Sequence, residues 1–330
     1  MRAPIIVNSL VFCRPGWSTS WMWGRSSASK PASSGILVRV EMTLPVDGFR
    51  LAYERTGDGH AAVFLHGWPG DRTDYRDVVP LLSSGWDVVV PDLRGFGESD
   101  KHRADPARSY SADAQARSVV GLIEELGLGR PVLAGYDIGS RIAQTVARSR
   151  PDLVSALVVS PPLPGIGTRI LTAQAQQEFW YQPFHQLDLA EQLIDGRPDA
   201  VRAYLRHFWA RWSGPDYQVT DERLDHLVSV YADPGAFTAS IGWYRAGAGA
   251  VARSVAERPP QPVDRIAVPT TVLWPAHDPL FPQAWSDRIN DFFANARLRY
   301  LSDAGHFTPV ESPHEFAEAF AAATNASHAT

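Results

Sequence analysis

A chain of 330 residues with 45% hydrophobic content is long enough for one large domain, or for a core with an inserted subdomain, around a substantial buried interior. Its formal net charge of -5, with no dense run of Lys and Arg, excludes the electrostatic footprint of a nucleic-acid or anionic-membrane binder and points to a small-molecule partner. The single cysteine, Cys13, excludes an internal disulfide and a cysteine-ligated metal site, and it favours a reducing, cytoplasmic compartment.

Residues 1–41 differ in character from the rest of the chain. RAPIIVNSLVFC sets a short apolar core behind one Arg, as a signal sequence does, but it is not succeeded by an A-x-A-like cleavage site. GRSSASKPASSG is then rich in Ser, Gly, Ala and Pro, the composition of a disordered tether. This extension is expected to lie outside the fold. Met42 is a candidate start, because MTLPVDGFRLAYERTG opens as a first hairpin.

From there short apolar runs alternate with helical patterns. AAVFLHG, WDVVVPD, PVLAGYD, VSALVVS, PTTVLWPAHD and ARLRYLSDAGH read as buried parallel strands: brief, rich in Val, Leu and Ile, and ending in Gly, Asp or Pro. In SADAQARSVVGLIEELGLG, Val119, Leu122, Ile123 and Leu126 form one apolar helical stripe, and Gly127 and Gly129 stop the helix. The alternation predicts an α/β fold with a mostly parallel, doubly wound sheet and ligand chemistry beyond the carboxyl ends of its strands. It breaks over residues 164–255, a helical, aromatic-rich insertion expected to form a cap. Residues 42–163 and 256–330 would then be the two parts of the core.

The stretch VLAGYDIGSRIAQ carries the first chemical signal. Gly135, Asp137 and Gly139 have the spacing of the G-x-S-x-G elbow, in which a sharp strand-to-helix turn presents one side chain, with a carboxylate where a hydroxyl would stand. Serine attacking a saturated carbon would leave an inert ether. A carboxylate gives an alkyl ester, whose own carbonyl water can attack. The alternative role for Asp137, capping the next helix, would suit an isolated Asp but not one between paired glycines.

HGWPG (66–70), DLRGFGESDK (92–101), GYDIG (135–139), LWPAHDPLFP (273–282) and DAGHF (303–307) occur in the order seen in α/β-hydrolases of the epoxide hydrolase and dehalogenase branch, which residues 42–325 resemble. The resemblance implies Asp137 as nucleophile, His306 as general base and Asp278 as the acid that orients His306, in the chain order that the fold uses. Asp303 is the competitor for the acid, but three residues before His306 it suits shaping the turn. His277, beside Asp278, is expected to be structural. The oxyanion donors implied are the backbone N–H groups of Trp68 and Ile138.

Haloalkane dehalogenases carry Trp after the nucleophile to hold the halide. Ile138 stands there instead. An epoxide needs a donor for its ring oxygen, and two insertion sites, WYQPF with Tyr181 and GWYRAG with Tyr244, resemble the epoxide hydrolase pattern. Tyr204, Tyr217 and Tyr231 are expected to serve packing. Fluoroacetate-type dehalogenases share the YRAGA signature and use two arginines on the substrate carboxylate; this chain keeps Arg141 alone of that pair. Arg141 is left open between substrate contact and a helix ion pair, and Trp68 and Trp180 are the other expected substrate-binding residues. RGFGESD lacks the ending of a phosphate loop and reads as a tight turn.

The function expected is an epoxide hydrolase acting on an apolar or aryl epoxide without a cofactor or metal. A haloacid or haloalkane dehalogenase is the alternative, and a ligand-binding protein without turnover the reading from another class. Homo-oligomer formation is left open.

Overall fold

The computed structural model of the chain describes residues 39–82, 84–247 and 251–327. Residues 1–38 of the expected extension lie outside the described residues. Val40–Met42, however, is a strand, β1, pairing antiparallel with β2 (Ala52–Gly57), so the sheet takes in the last residues assigned to the extension.

The expected strands form β3 (His60–Leu65), β4 (Trp86–Pro91), β5 (Val132–Gly135), β6 (Ala156–Val159), β7 (Thr270–Pro275) and β8 (Ala296–Leu301). Among the described residues they make one sheet in the order β1-β2-β4-β3-β5-β6-β7-β8. β2 runs antiparallel to β4, and β4, β3, β5, β6, β7 and β8 are mutually parallel. β5 and β6 are buried along their whole length, which is why they read as continuous apolar runs rather than alternating ones.

The core helices before β6 are α1 (Pro106–Ser109), α2 (Ala112–Glu125) and α3 (Asp137–Ser149). α2 starts where the Ser111 hydroxyl accepts the Ala114 N–H, and it ends where Gly127 turns left-handed at φ 63°. Val119, Leu122 and Ile123 of its stripe are buried.

Between β6 and β7 the described residues form α4 (Ala173–Glu178), α5 (Tyr181–His185), α6 (Asp188–Ile194), α7 (Pro198–Trp212), α8 (Asp221–Tyr231), α9 (Ala236–Ser240), α10 (Gly242–Arg245) and α11 (Val251–Ala256). Their aromatic residues join the hydrophobic cluster of the sheet: Trp209 of α7 stacks on Phe307 with centroids 3.8 Å apart. The chain closes with α12 (Ile289–Phe292), α13 (Thr308–Glu311) and α14 (Pro313–Ser327). No described helix is long and apolar enough to cross a membrane.

Candidate active site

The loops leaving β3, β5, β7 and β8 at their carboxyl ends bring Trp68, Asp137, Asp278 and His306 together. Asp137 comes after β5 with φ 48°, a left-handed conformation in which a side chain is strained. The close crossing of α3 over the sheet imposes it. A Cβ on Gly139 would stand 2.1 Å from the Leu65 carbonyl oxygen, and one on Gly135 would stand 2.6 Å from the Gly139 carbonyl carbon. The elbow spacing therefore has a steric cause.

The Asp137 carboxylate is buried but borders a cavity of about 160 Å³. Its Oδ2 accepts the Trp68 N–H at 2.7 Å, and its Oδ1 lies 3.5 Å from His306 Nε2. The Ile138 N–H, in the first turn of α3, is one of the donors that helix geometry leaves without an intrahelical acceptor.

His306 Nδ1 bonds Asp278 Oδ2 at 2.8 Å, and the other Asp278 oxygen accepts the Leu280 N–H at 2.8 Å. An ionised carboxylate only accepts, so Nδ1 carries a proton. Nε2 is buried without a hydrogen-bond partner and faces Asp137. Burial alone would lower the imidazole pKa. The charges of Asp278 and Asp137 outweigh burial and raise it to about 10. Asp303 is exposed and accepts the Ser302 hydroxyl, and His277 is exposed, its backbone N–H donating to the Ala304 carbonyl.

From the inserted helices, Tyr181 and Tyr244 line the same cavity as Asp137. Their rings meet edge to face, with centroids 5.5 Å apart at 87°. Burial, reinforced by the Asp137 charge, pushes both phenols well above their ordinary value and keeps them neutral donors. Gln182, to which the sequence assigned no role of its own, donates to the Tyr181 hydroxyl at 3.4 Å.

Ile138, Leu163, Ile170, Phe179, Trp243 and Phe281 give the cavity apolar walls. Arg141 lines it one helical turn beyond Asp137 and makes no side-chain hydrogen bond or ion pair among the described residues. Burial lowers its pKa, Glu257 opposes that shift, and Arg148 and Arg253 add to it. Arg253 and Glu257, also missed from sequence, line the same end from α11 and the segment after it. No strand or helix pattern could have announced them, because what matters is where α11 lies over α3.

Two expected substrate contacts need correction. The Trp68 indole is fully buried, stacked on Tyr181 at 5.8 Å, and does not line the cavity, so Trp68 reaches Asp137 through its backbone alone. Trp180 is 41% exposed and packs on Phe208 beside an outer groove with Phe184 and Leu193. It points away because Tyr181, the next residue, takes the inward face of α5. Of the tyrosines assigned to packing, Tyr204 bonds His185 and Tyr217 packs on Trp209, whereas Tyr231 bonds the Gly70 backbone. The RGFGESD segment is a tight turn around Asp92, whose carboxylate accepts the Glu98 N–H.

A family model described as alpha/beta hydrolase fold matches residues 62–313. The soluble epoxide hydrolase of Corynebacterium sp. (strain C12) is 28% identical over 280 residues, spanning 81% of this chain and 91% of that protein. Epoxide hydrolase 1 of Siraitia grosvenorii is 30% identical over 231 residues, 62% of this chain and 71% of that protein. The solved structure of epoxide hydrolase CorEH superposes with a TM-score of 0.75 over 88% of this chain and 99% of that one, at 24% identity, a likeness of fold. With the elbow, the strand order and the family match in agreement, the chain belongs to the α/β-hydrolase fold family.

Proposed function

We propose that this chain is an epoxide hydrolase that works through an alkyl ester on Asp137. The observation that carries the reading is a carboxylate on a strained elbow, held by one backbone N–H and facing an imidazole anchored by a second carboxylate, in a cavity with two neutral phenols. Similarity to proteins named epoxide hydrolases, at 28% and 30% identity, supports it.

In the first step an Asp137 oxygen bonds a ring carbon as its C–O bond breaks. The departing alkoxide takes a proton from Tyr244 or Tyr181. The phenolate recovers its proton, through water, from imidazolium His306, which leaves the imidazole neutral. In the second step His306 takes a proton from water, and hydroxide adds to the ester carbonyl, whose oxyanion is met by the Trp68 and Ile138 N–H groups. Collapse expels the alkoxide, which takes the proton of the carboxylic acid just formed on Asp137, so the vicinal diol leaves with Asp137 again a carboxylate and His306 again an imidazolium. A halide would lack a donor at Ile138, so a dehalogenase is the weaker reading.

The substrate is a small molecule whose epoxide sits at Asp137 and whose apolar or aryl body lies against Phe179 and Phe281, with Arg141 facing the far end. With one cysteine in the whole sequence, residence in the cytoplasm fits the same reading. A single turnover of styrene oxide in H₂¹⁸O tests the chemistry. One heavy oxygen should enter the tryptic peptide containing Asp137, and an unlabelled peptide with labelled diol would mean direct attack by water and sink the proposal.

A further inference from the structure

The loop that delivers the Trp68 N–H to Asp137 is gripped from outside the core by one inserted helix, α8, at three places. The Tyr231 hydroxyl donates to the Gly70 carbonyl at 2.8 Å and accepts the Gly70 N–H at 3.0 Å. His226 Nε2 bonds Asp71 Oδ2 at 2.6 Å. Arg223 Nη1 donates to Asp74 Oδ1 at 2.9 Å, and the two side chains are only 4% and 0% exposed.

Asp74 also reaches inward. Its Oδ2 accepts the hydroxyl of Tyr136 at 2.6 Å, and Tyr136 is the residue immediately before Asp137. The Tyr136 ring threads directly under the loop. A Cβ on Gly67 would stand 2.5 Å from its Cε2 and 2.8 Å from the Asp137 Cβ, while one on Gly70 would stand 1.9 Å from Asp74 Oδ2. Loop, elbow and α8 thus meet at one buried carboxylate. A buried ion pair is poor evidence for stability, since desolvation offsets its attraction, and it is better suited to fixing one arrangement among several. The arrangement fixed here is the distance between the Trp68 N–H and Asp137 Oδ2.

We propose that Asp74 and Arg223 are positioning residues for the second half of the reaction: acting through Tyr136 and the loop 67–75, they hold the Trp68 N–H on the Asp137 oxygen that becomes the oxyanion when water attacks the ester. The inference rests on the proposed ester at Asp137. Ring opening leaves that oxygen a carbonyl and asks little of the donor, whereas water addition concentrates negative charge on it. Loosening the loop should therefore slow ester hydrolysis more than ester formation.

The test uses the full chain with styrene oxide, quenched during turnover and read by intact-protein mass spectrometry, with kcat and KM measured alongside. Arg223→Met and, as a gentler change that removes only the inward bond, Tyr136→Phe are compared with His306→Gln, which should trap the ester if the underlying chemistry is right. Expected for both test variants are a kcat at least tenfold down, a KM that falls with it, and a steady-state ester above that of the wild type. A merely structural role would lower kcat and kcat/KM together, with no added ester, and that result overturns the proposal. Should Arg223→Met fail to fold, Tyr136→Phe decides alone. Ester in His306→Gln but not in the folded test variants sinks the positioning role only. No ester in any variant, His306→Gln included, removes the ester reading and this inference with it.

Discussion

His306 Nε2 stands 3.5 Å from Asp137 Oδ1, so the nucleophile is also one of the two charges that keep the imidazole protonated. Esterification removes that charge and leaves Asp278 as the one carboxylate in contact among the described residues. The group that must become a base is thereby released toward its base form by the step that creates its substrate.

Asp137→Asn, neutral and nearly isosteric, imitates the esterified state. In the folded wild type the His306 pKa is raised from 6.5 to about 10, so its charge pairing contributes stability in full below pH 6.5 and loses it as pH rises toward 10. In freshly prepared Asp137→Asn the pKa should drop, and the extra stability should be lost at a lower pH. Imidazole titration by NMR reads the shift directly. An unchanged His306 titration would show that Asp137 does not govern the base.

Asp278→Asn should act almost wholly on the second step. Asn can donate where the carboxylate only accepts, so Nδ1 can lose its proton and present it at Nε2 instead, the wrong atom for activating water. Turnover should fall by roughly 10³-fold or more while alkylation of Asp137 persists, so the ester should accumulate. A variant that turns over slowly with no accumulated ester would place Asp278 in ring opening instead.

The sheet and the elbow were legible because each rests on local rules, whereas the roles of Asp278 and His306 came from the resemblance of their motifs to those of α/β-hydrolases. Buried parallel strands are short apolar runs, and a helix that crosses strands as closely as α3 does needs Gly135 and Gly139 whatever stands between them. The insertion was legible as helical and aromatic but not in its facing. Tyr181 and Trp180 are adjacent, and one lines the cavity while the other looks outward. The Asp74–Arg223 pair, joined across 149 positions, left no local pattern at all. Such contacts are decided by how α8 sits on the loop after β3, and periodicity within either segment is silent about it.

Gly139→Ala would put a methyl 2.1 Å from the Leu65 oxygen and 2.5 Å from that of His66, both backbone atoms that cannot swing aside. The substitution should cost on the order of 3 kcal/mol or more, with lost activity accompanying a lower thermal midpoint. Ala at Gly127, where nothing lies within 4 Å and only the left-handed backbone objects, should cost about 1 kcal/mol and leave turnover near wild type. Equal losses at the two sites would deny that close crossing at the elbow is the constraint.

Tyr181 and Tyr244 touch each other as well as the cavity, so removing either hydroxyl also perturbs the other. Tyr244→Phe or Tyr181→Phe alone should slow ring opening about tenfold, since the remaining phenol can still donate. The double variant should lose on the order of 10³-fold, more than the roughly 10²-fold product of the single effects. Single-turnover alkylation rates separate this from ester hydrolysis, which should change little. A double variant no slower than the slower single, with the other single near wild type, would mean that one tyrosine alone serves the ring oxygen.

Arg141 lines the cavity with no ion pair among the described residues, which is costly for a half-buried guanidinium on the cavity wall unless the substrate supplies a partner. Arg141 stands four residues after Asp137 along α3, so both side chains leave the same face of the helix and border the same cavity. An epoxide bearing a carboxylate a few bonds from the ring should therefore be preferred over the matching amide. The ratio of their kcat/KM values should fall about tenfold in Arg141→Gln, the scale of a charge-assisted hydrogen bond, and by less in Arg253→Gln, which lies on the exposed surface of α11. Using the ratio cancels any general loss of active enzyme. If acid and amide are opened equally well by the wild type, Arg141 does not select the substrate.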